Sequence, residues 1–281
     1  MPGVLKQIKD GFISWFVKQR PIMKVGMKFV ELNYYAGRVP VLKSLHPWVK
    51  TSRNSASYLP FRVTVNQELG RPVNEVLPPQ ILHDLIDQAE QHILMDECLC
   101  RRTQECENHD PGIGCLFMGP SALAHIPEKI GRRASRQEAH AHVERAVKNG
   151  LVPMAGKVRV DNFLFLAPER HQLLSVCFCC HCCCMMGYYR HAGRQMDHMM
   201  EPIPGARVTV TDACQGCGTC IETCIFEAIR LENGRAVHTD ACRVCGRCER
   251  YCPNQAVELV LENPDYLEDV KTRILSYVRL K

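Results

Sequence analysis

Eight cysteines between positions 214 and 252 fall into two matched runs. Asp212-Ala213-Cys214-x-x-Cys217-Gly218-x-Cys220-x3-Cys224 returns 28 positions later as Asp240-Ala241-Cys242-x-x-Cys245-Gly246-x-Cys248-x3-Cys252, followed by Pro253. A cubane iron–sulfur cluster needs four thiolates at the corners of a tetrahedron, and a tight C-x2-C-x2-C loop covers only three irons. The fourth ligand must come from elsewhere, and at this spacing the last cysteine of each run serves the other cluster. One [4Fe–4S] cluster is therefore expected on Cys214, Cys217, Cys220 and Cys252, and a second on Cys242, Cys245, Cys248 and Cys224. Gly218 and Gly246 would let backbone approach the inorganic core without a side chain in the way. Zinc is the rival reading, but it usually takes pairs of cysteines separated by a longer loop.

Ten further cysteines lie between residues 98 and 184. Cys98-x-Cys100-Arg101-Arg102-x3-Cys106-x8-Cys115 offers four thiolates by itself, enough for one more cluster. Arg101 and Arg102 would offset the negative charge of such a cluster and donate hydrogen bonds to its sulfurs. The run Cys177-Phe178-Cys179-Cys180-His181-Cys182-Cys183-Cys184 adds the candidate ligands Cys177, Cys179, Cys180, Cys182 and Cys183. It could hold a fourth cluster, complete the third, or form a non-cubane centre. The bland alternative is that several of these residues are small buried hydrophobes. His181 reads as a hydrogen-bonded histidine before it reads as a ligand.

The elements that must position these sulfurs are partly legible. Ile81, Leu82, Leu85, Ile86, Ala89 and Ile93 share one helical face leading into Cys98. Ser135-Arg136-Gln137-Glu138 is a capping box, and Gly150 a fitting stop for the helix it starts. Lys157–Val160 and Phe163–Leu166, joined at Asp161-Asn162, read as a hairpin leading to Cys177. In the repeat, Val208–Thr211 alternates as a strand, and Asn233-Gly234 is a hairpin turn between Ile229–Glu232 and Arg235–Thr239. Asn263-Pro264 should cap a last helix running to about Leu280 and packing on residues 201–262.

Residues 201–262 resemble a bacterial-type two-cluster ferredoxin domain, with one departure: Ile225 follows Cys224 where that family usually has proline. Residues 78–200 are similar to a cysteine-rich segment preceding such domains in poorly characterised anaerobe proteins, in which a C-x-C-R run, a GLV turn (Gly150-Leu151-Val152) and a CC-x-CC run recur. The resemblance implies electron transfer and no particular substrate. The expected fold class is α+β. A basic amphipathic N-terminal region (1–77) and a cysteine-rich helix and hairpin unit (78–200) precede the ferredoxin-like domain (201–262) and a C-terminal helix (263–281).

The rest of the chain bounds its setting. Its 281 residues are 46% hydrophobic and 23% charged, as in an ordinary globular protein. No secretory signal precedes the cysteines, and neighbours such as Cys182-Cys183-Cys184 are poorly placed for ordinary disulfides, so a reducing cytoplasm and an anaerobic life are expected. Residues 1–62 carry eleven Lys/Arg against Asp10 and Glu31, whereas residues 201–281 carry ten against twelve acids. Val4, Leu5, Ile8, Phe12, Trp15 and Phe16 form one stripe of an N-terminal helix edged by lysines. That helix either docks on protein or lies on an anionic membrane surface, making peripheral association the membrane expectation. No base-stacking pattern accompanies the charge, which argues against nucleic acid.

No G-x-x-x-x-G-K-[ST] and no dinucleotide fingerprint is present. The leading expectation is an electron carrier relaying through two or more clusters to or from a partner oxidoreductase, with no catalytic acid–base residue. A reductase with its iron–sulfur centre in residues 98–184 and a redox-sensing scaffold are the alternatives.

Overall fold

Short apolar runs between the cysteine motifs supply the strands of one antiparallel sheet. The computed structural model describes residues 2–39, 55–60, 64–65, 78–192, 199–263 and 265–281. The chain begins with helices α1 (Pro2–Lys18) and α2 (Arg20–Ala36), broken where Pro21 lacks the N–H that would bond Val17 O. The Arg102 guanidinium donates to that carbonyl instead. Strands β1 (Ser55–Tyr58) and β2 (Thr64–Val65) precede α3 (Pro78–Gln88), β3 (His92–Met95), α4 (Leu99–Thr103), β4 (Leu116–Met118), α5 (Pro120–His125) and β5 (Gly131–Arg133). Then come α6 (Arg136–Lys148), β6 (Val152–Lys157), α7 (Arg159–Leu164) and β7 (Leu174–Cys179). The six-stranded sheet has the order β1-β6-β7-β4-β3-β5, every pair antiparallel.

Two expectations fail here for physical reasons. Ile93 lies on β3, because α3 ends at Gln88; Ile81, Leu82, Leu85 and Ile86 do form its buried face, and Ala89, just past its end, is buried too. Residues 157–166 form no hairpin: β6 is already paired on both edges, with β1 and β7, so the chain turns into α7 instead. The capping box at Ser135 is present in full, and Gly150 follows α6 at a φ of 85°.

The repeat folds as β8 (Ala206–Val210), α8 (Thr219–Glu222), β9 (Ile229–Glu232), β10 (Arg235–His238), α9 (Arg247–Tyr251) and β11 (Val257–Leu261). β9 and β10 pair through Asn233-Gly234, both at positive φ as a two-residue hairpin turn requires. β11 lies between β8 and β2. The two copies match beyond their cysteines: Glu227 and Gln255, 28 positions apart, share left-handed backbone, as do Gly216 and Val244.

The last helix, α10 (Tyr266–Tyr277), packs on β1, β6 and α3 and so covers mainly the six-stranded sheet. Its apolar face still reaches Leu259 and Leu261 of β11 within one core. Asp265 occupies its N-cap and Asn263 bonds the Asp265 N–H and Asp269; the expected Pro264 lies outside the described residues. The chain is thus α+β, and no helix among the described residues is long and apolar enough to cross a membrane.

Candidate metal centres

Each repeat copy wraps its first three cysteines as a loop into the N-terminus of a short helix. Gly218 and Gly246 cap α8 and α9 at φ near 82° and 81°, so left-handed backbone is the direct reason for glycine there. Cys214, Cys217 and Cys220 line one small concavity, and its remaining sulfur is Cys252 from the other copy. Cys242, Cys245 and Cys248 are gathered with Cys224, whose charge acts on Cys242 and Cys248 alike. The last cysteine of each run therefore sits with the other run's loop.

Backbone N–H groups point at these sulfurs in equivalent places. Ala228 donates to Cys224 Sγ and Ala256 to Cys252 Sγ, each at 3.3 Å, and Val244 donates to Cys242 Sγ at 3.4 Å. The two sites differ in surroundings. Cys217 is exposed and contacts Thr219 Oγ1 at 3.5 Å. At the position matching Thr219 stands Arg247, which is buried and donates to Cys245 Sγ at 3.4 Å. His238 also approaches Cys248 Sγ, at 3.4 Å. Ile225, which follows Cys224, is buried in the core shared with Met186 and Tyr189, against Gly187. The first site faces solvent and the second faces the cysteine-rich unit.

In that unit the ten cysteines divide four and six. Cys106, Cys180, Cys182 and Cys183 bring their sulfurs within 4.8 Å of one another and could hold a metal. Cys106 therefore stands with the second cysteine run and not in a quartet with Cys98, Cys100 and Cys115. His181 is not one of the four; it meets His109 and Tyr251 edge-on, and its Nδ1 is buried without a partner among the described residues. The other six form a row. Cys177 meets Cys115 at 3.9 Å across the β4–β7 pair, Cys98, Cys100 and Cys184 line one cavity with these two, and the Cys179 charge acts on Cys184. Cys177 and Cys179 alternate with Phe178 on β7 and so share a face.

Proton sharing runs through both sets. Hydrogen bonding from Cys183, helped by Arg101, holds the Cys180 thiol down at about 4, while burial and the Cys180 charge push Cys182 up to about 11. Hydrogen bonds from Cys100 and Cys115 likewise hold Cys98 well below the thiol range. Hydrogen bonding to Cys184 and to Cys177 pushes Cys100 and Cys115 respectively well above it. One thiolate surrounded by protonated thiols is the arrangement from which a bound metal releases protons.

Two guanidiniums are buried among these sulfurs. Arg101 donates to the carbonyls of Asp110, Phe178 and Ile113, and Arg247 to those of Cys179 and Cys180. No carboxylate among the described residues pairs with either. Burial opposes their charge, but Cys98, Cys115, Cys180 and Cys184 around Arg101 outweigh it, as do Cys245, Tyr58, Cys179 and Cys184 around Arg247. Each arginine bridges two sulfur sets: Arg247 joins the Cys242 site to the row, and Arg101 joins the row to the Cys106 quartet. Arg102, expected beside sulfur, instead caps Val17 O and pairs with Glu97.

Sequence spacing missed Cys184 as a ligand candidate, because its neighbour Cys183 belongs to a different set. A cavity of about 400 Å³ lies against the row, lined by Cys98, Cys100, Cys115, Cys177 and Cys184 and otherwise largely apolar, with Phe16, Phe29 and Phe165 in its wall. No protein-family model, curated protein or solved structure matches this chain.

Proposed function

We propose that this chain is an iron–sulfur electron-transfer protein. Residues 201–262 act as a two-cluster ferredoxin domain, with Cys214, Cys217, Cys220 and Cys252 holding one [4Fe–4S] cluster and Cys224, Cys242, Cys245 and Cys248 the other. Electrons enter near exposed Cys217, pass to the cluster beside Arg247, and continue into the cysteine-rich unit, to or from a partner oxidoreductase. When bound, the clusters supply reversible one-electron chemistry; the chain sets their spacing, burial and hydrogen bonding.

The observation that carries this reading is the pair of buried arginines without carboxylates. A buried cation must be balanced: Cys98 and Cys180 are held toward the thiolate beside Arg101, whereas disulfides would leave both arginines uncompensated at a cost of several kcal/mol. Thiolate-ligated clusters are the anions that match them. Anaerobically purified protein should contain at least about eight irons, with EPR of the reduced protein giving two interacting clusters. About four irons with both repeat motifs intact, or zinc in their place, would overturn the reading.

The cavity favours a second reading, a reductase whose centre in residues 98–184 meets an apolar reactant. Acceptance of electrons only by partner proteins would sink it.

For the N-terminus we propose contact with an anionic membrane surface. Ile13 and Val17 dock α1 on the core, yet Val4, Leu5, Ile8, Phe12 and Trp15 remain exposed, as do Ile22, Val25, Phe29 and Leu32 on α2. Lys6, Lys18, Lys24 and Lys28 accompany them on the surface. Replacing Ile8, Phe12 and Trp15 with serine, which leaves Ile13 and Val17 in place, should weaken binding to phosphatidylglycerol vesicles at least about tenfold. Unchanged co-sedimentation would end the membrane assignment.

A further inference from the structure

Thiolates on one metal ion stand closer together than thiolates on a cubane, and that difference separates the sulfur sets of this chain. In a tetrahedron with metal–sulfur bonds of about 2.3 Å, the sulfurs lie about 3.8 Å apart. On a four-iron core each thiolate takes a different iron, the cube stands between them, and they are spread wider. Cys106 Sγ lies 3.4 Å from Cys182 Sγ, Cys180 Sγ 3.2 Å from Cys183 Sγ, and Cys182 Sγ 3.9 Å from Cys183 Sγ. All four fall within 4.8 Å of one another. No other set of three or more potential ligands among the described residues is drawn together so tightly, including the two sets proposed for the repeat's clusters. His181 lies between two of the four in sequence and is not among them, so the donors are all sulfur.

We propose that Cys106, Cys180, Cys182 and Cys183 hold a single zinc ion in a closed tetrahedral site of four thiolates. Zinc suits these donors on two counts. Its structural sites take four cysteines, and it stands above ferrous iron in the usual order of affinity, with thiolates among the ligands that select it. Cys180-x2-Cys183 is the short chelate common to such sites. Cys182 adds a third ligand from the same turn, so only Cys106 has to be brought from elsewhere in the chain.

The turn that ends α4 aims Cys106 at the other three. Glu105 adopts left-handed backbone at φ 53°, its N–H donates to Arg102 O, and the Cys106 N–H donates to Arg101 O at 2.9 Å. In this double closure glycine usually occupies the left-handed position. Glutamate stands there instead, and its carboxylate pairs with Arg20 and Lys24 of α2. On the other side Cys180 continues from β7, and buried Arg247 donates to the Cys179 and Cys180 carbonyls. An ion between these two turns ties the end of α4 to the end of β7. It also fixes Cys184, the residue after the last ligand, in the wall of the cavity. Zinc has no redox chemistry of its own. The quartet is then a structural clasp beside the electron path and not a station on it.

This inference does not depend on the iron–sulfur reading above, because its test reads zinc. Full-length protein, purified anaerobically from cells supplied with both metals, should carry about one zinc per chain. Zinc K-edge EXAFS of that protein should show four sulfurs at about 2.3 Å and no iron neighbour. The Cys106→Ser/Cys182→Ser variant should lose the zinc and keep its iron. Loss of about four irons from the variant would mean a cluster in the quartet, loss of a single iron an iron site, and unchanged metal bare thiols. Each of these three results overturns the proposal. Should the variant fail to fold, the wild-type protein decides: zinc absent, or held by nitrogen or oxygen, overturns the assignment, and the four-sulfur shell supports it. Zinc found in the repeat as well would sink the ferredoxin assignment, and the loss of one zinc from the variant would still report the quartet.

Discussion

Arg247→Met should uncouple the repeat from the cysteine-rich unit while leaving both of its clusters bound. The side chain is almost wholly buried, at 2% exposed. It donates to Cys245 Sγ, to Cys179 O at 2.9 Å and to Cys180 O, and its guanidinium lies 5.6 Å from the centre of the Tyr58 ring. Removing it withdraws a positive charge and an N–H···S bond from Cys245, and so from the cluster proposed on Cys224, Cys242, Cys245 and Cys248. Reduction adds negative charge, so both interactions favour the reduced cluster and their loss lowers its potential. A differential of about 1.4 kcal/mol corresponds to about 59 mV for a one-electron couple. Potentiometric EPR should find that cluster shifted down by on the order of 60 mV or more, with the cluster at Cys214 unmoved. Arg247→Lys should fall between the two, since it keeps the charge and loses the planar fork. The variant should also be less stable by about 3–5 kcal/mol, the usual cost of leaving a buried charge without its partner. Equal potentials in all three proteins would remove Arg247 from any role beside a cluster.

How much of this was legible beforehand depends on the range of the interactions involved. The backbone of the repeat reads directly from sequence because its determinants are local: each glycine at the head of its short helix and the Asn233-Gly234 hairpin lie within a few residues. The capping box at Ser135 is equally local, as is the buried face of α3. Failures begin where partners are distant. Asp161-Asn162 has turn composition, but whether a strand can follow depends on an edge of β6 that β1 and β7 already occupy. Ile93 keeps helical spacing and is nevertheless drawn into β3 by pairing with β4 and β5. Ile225 looked like a departure in a local turn; its reason is a contact with the Met185–His191 segment.

Among the cysteines the same limit applies. Nothing in the spacing of residues 98–115 says that Cys106 turns away to meet Cys180, Cys182 and Cys183. Cys183 and Cys184 are neighbours in sequence, yet one serves the quartet and the other the row. The two arginines divide in the same way. Arg101 and Arg102 are adjacent on a single helical turn, so they leave it in different directions, one into sulfur and one to the carbonyl that Pro21 stranded. Arg247 carries no sequence signal at all beyond replacing Thr219 of the other copy. It is the residue on which the connection between the two halves depends most.

Exchange of the fourth ligand between copies makes the sharpest numerical prediction, because iron loss should follow site membership and not sequence proximity. Cys252→Ser combined with Cys217→Ser touches one site, and should cost about four irons per chain. Cys252→Ser combined with Cys245→Ser touches two sites although these residues share a run, and should cost about eight. The mirror pair behaves alike: Cys224→Ser with Cys245→Ser should remove one cluster, and Cys224→Ser with Cys217→Ser both. Serine keeps the size of cysteine and little of its affinity for iron, so the comparison reads ligation and not packing. The physical basis is the geometry of the two loops. Cys214, Cys217 and Cys220 share their concavity with Cys252, while Cys224 lies beside Cys242 and Cys248. If each loop closed its own cube, the two kinds of pair would exchange outcomes. Iron counting on the four double variants distinguishes these cases without any knowledge of the redox partner.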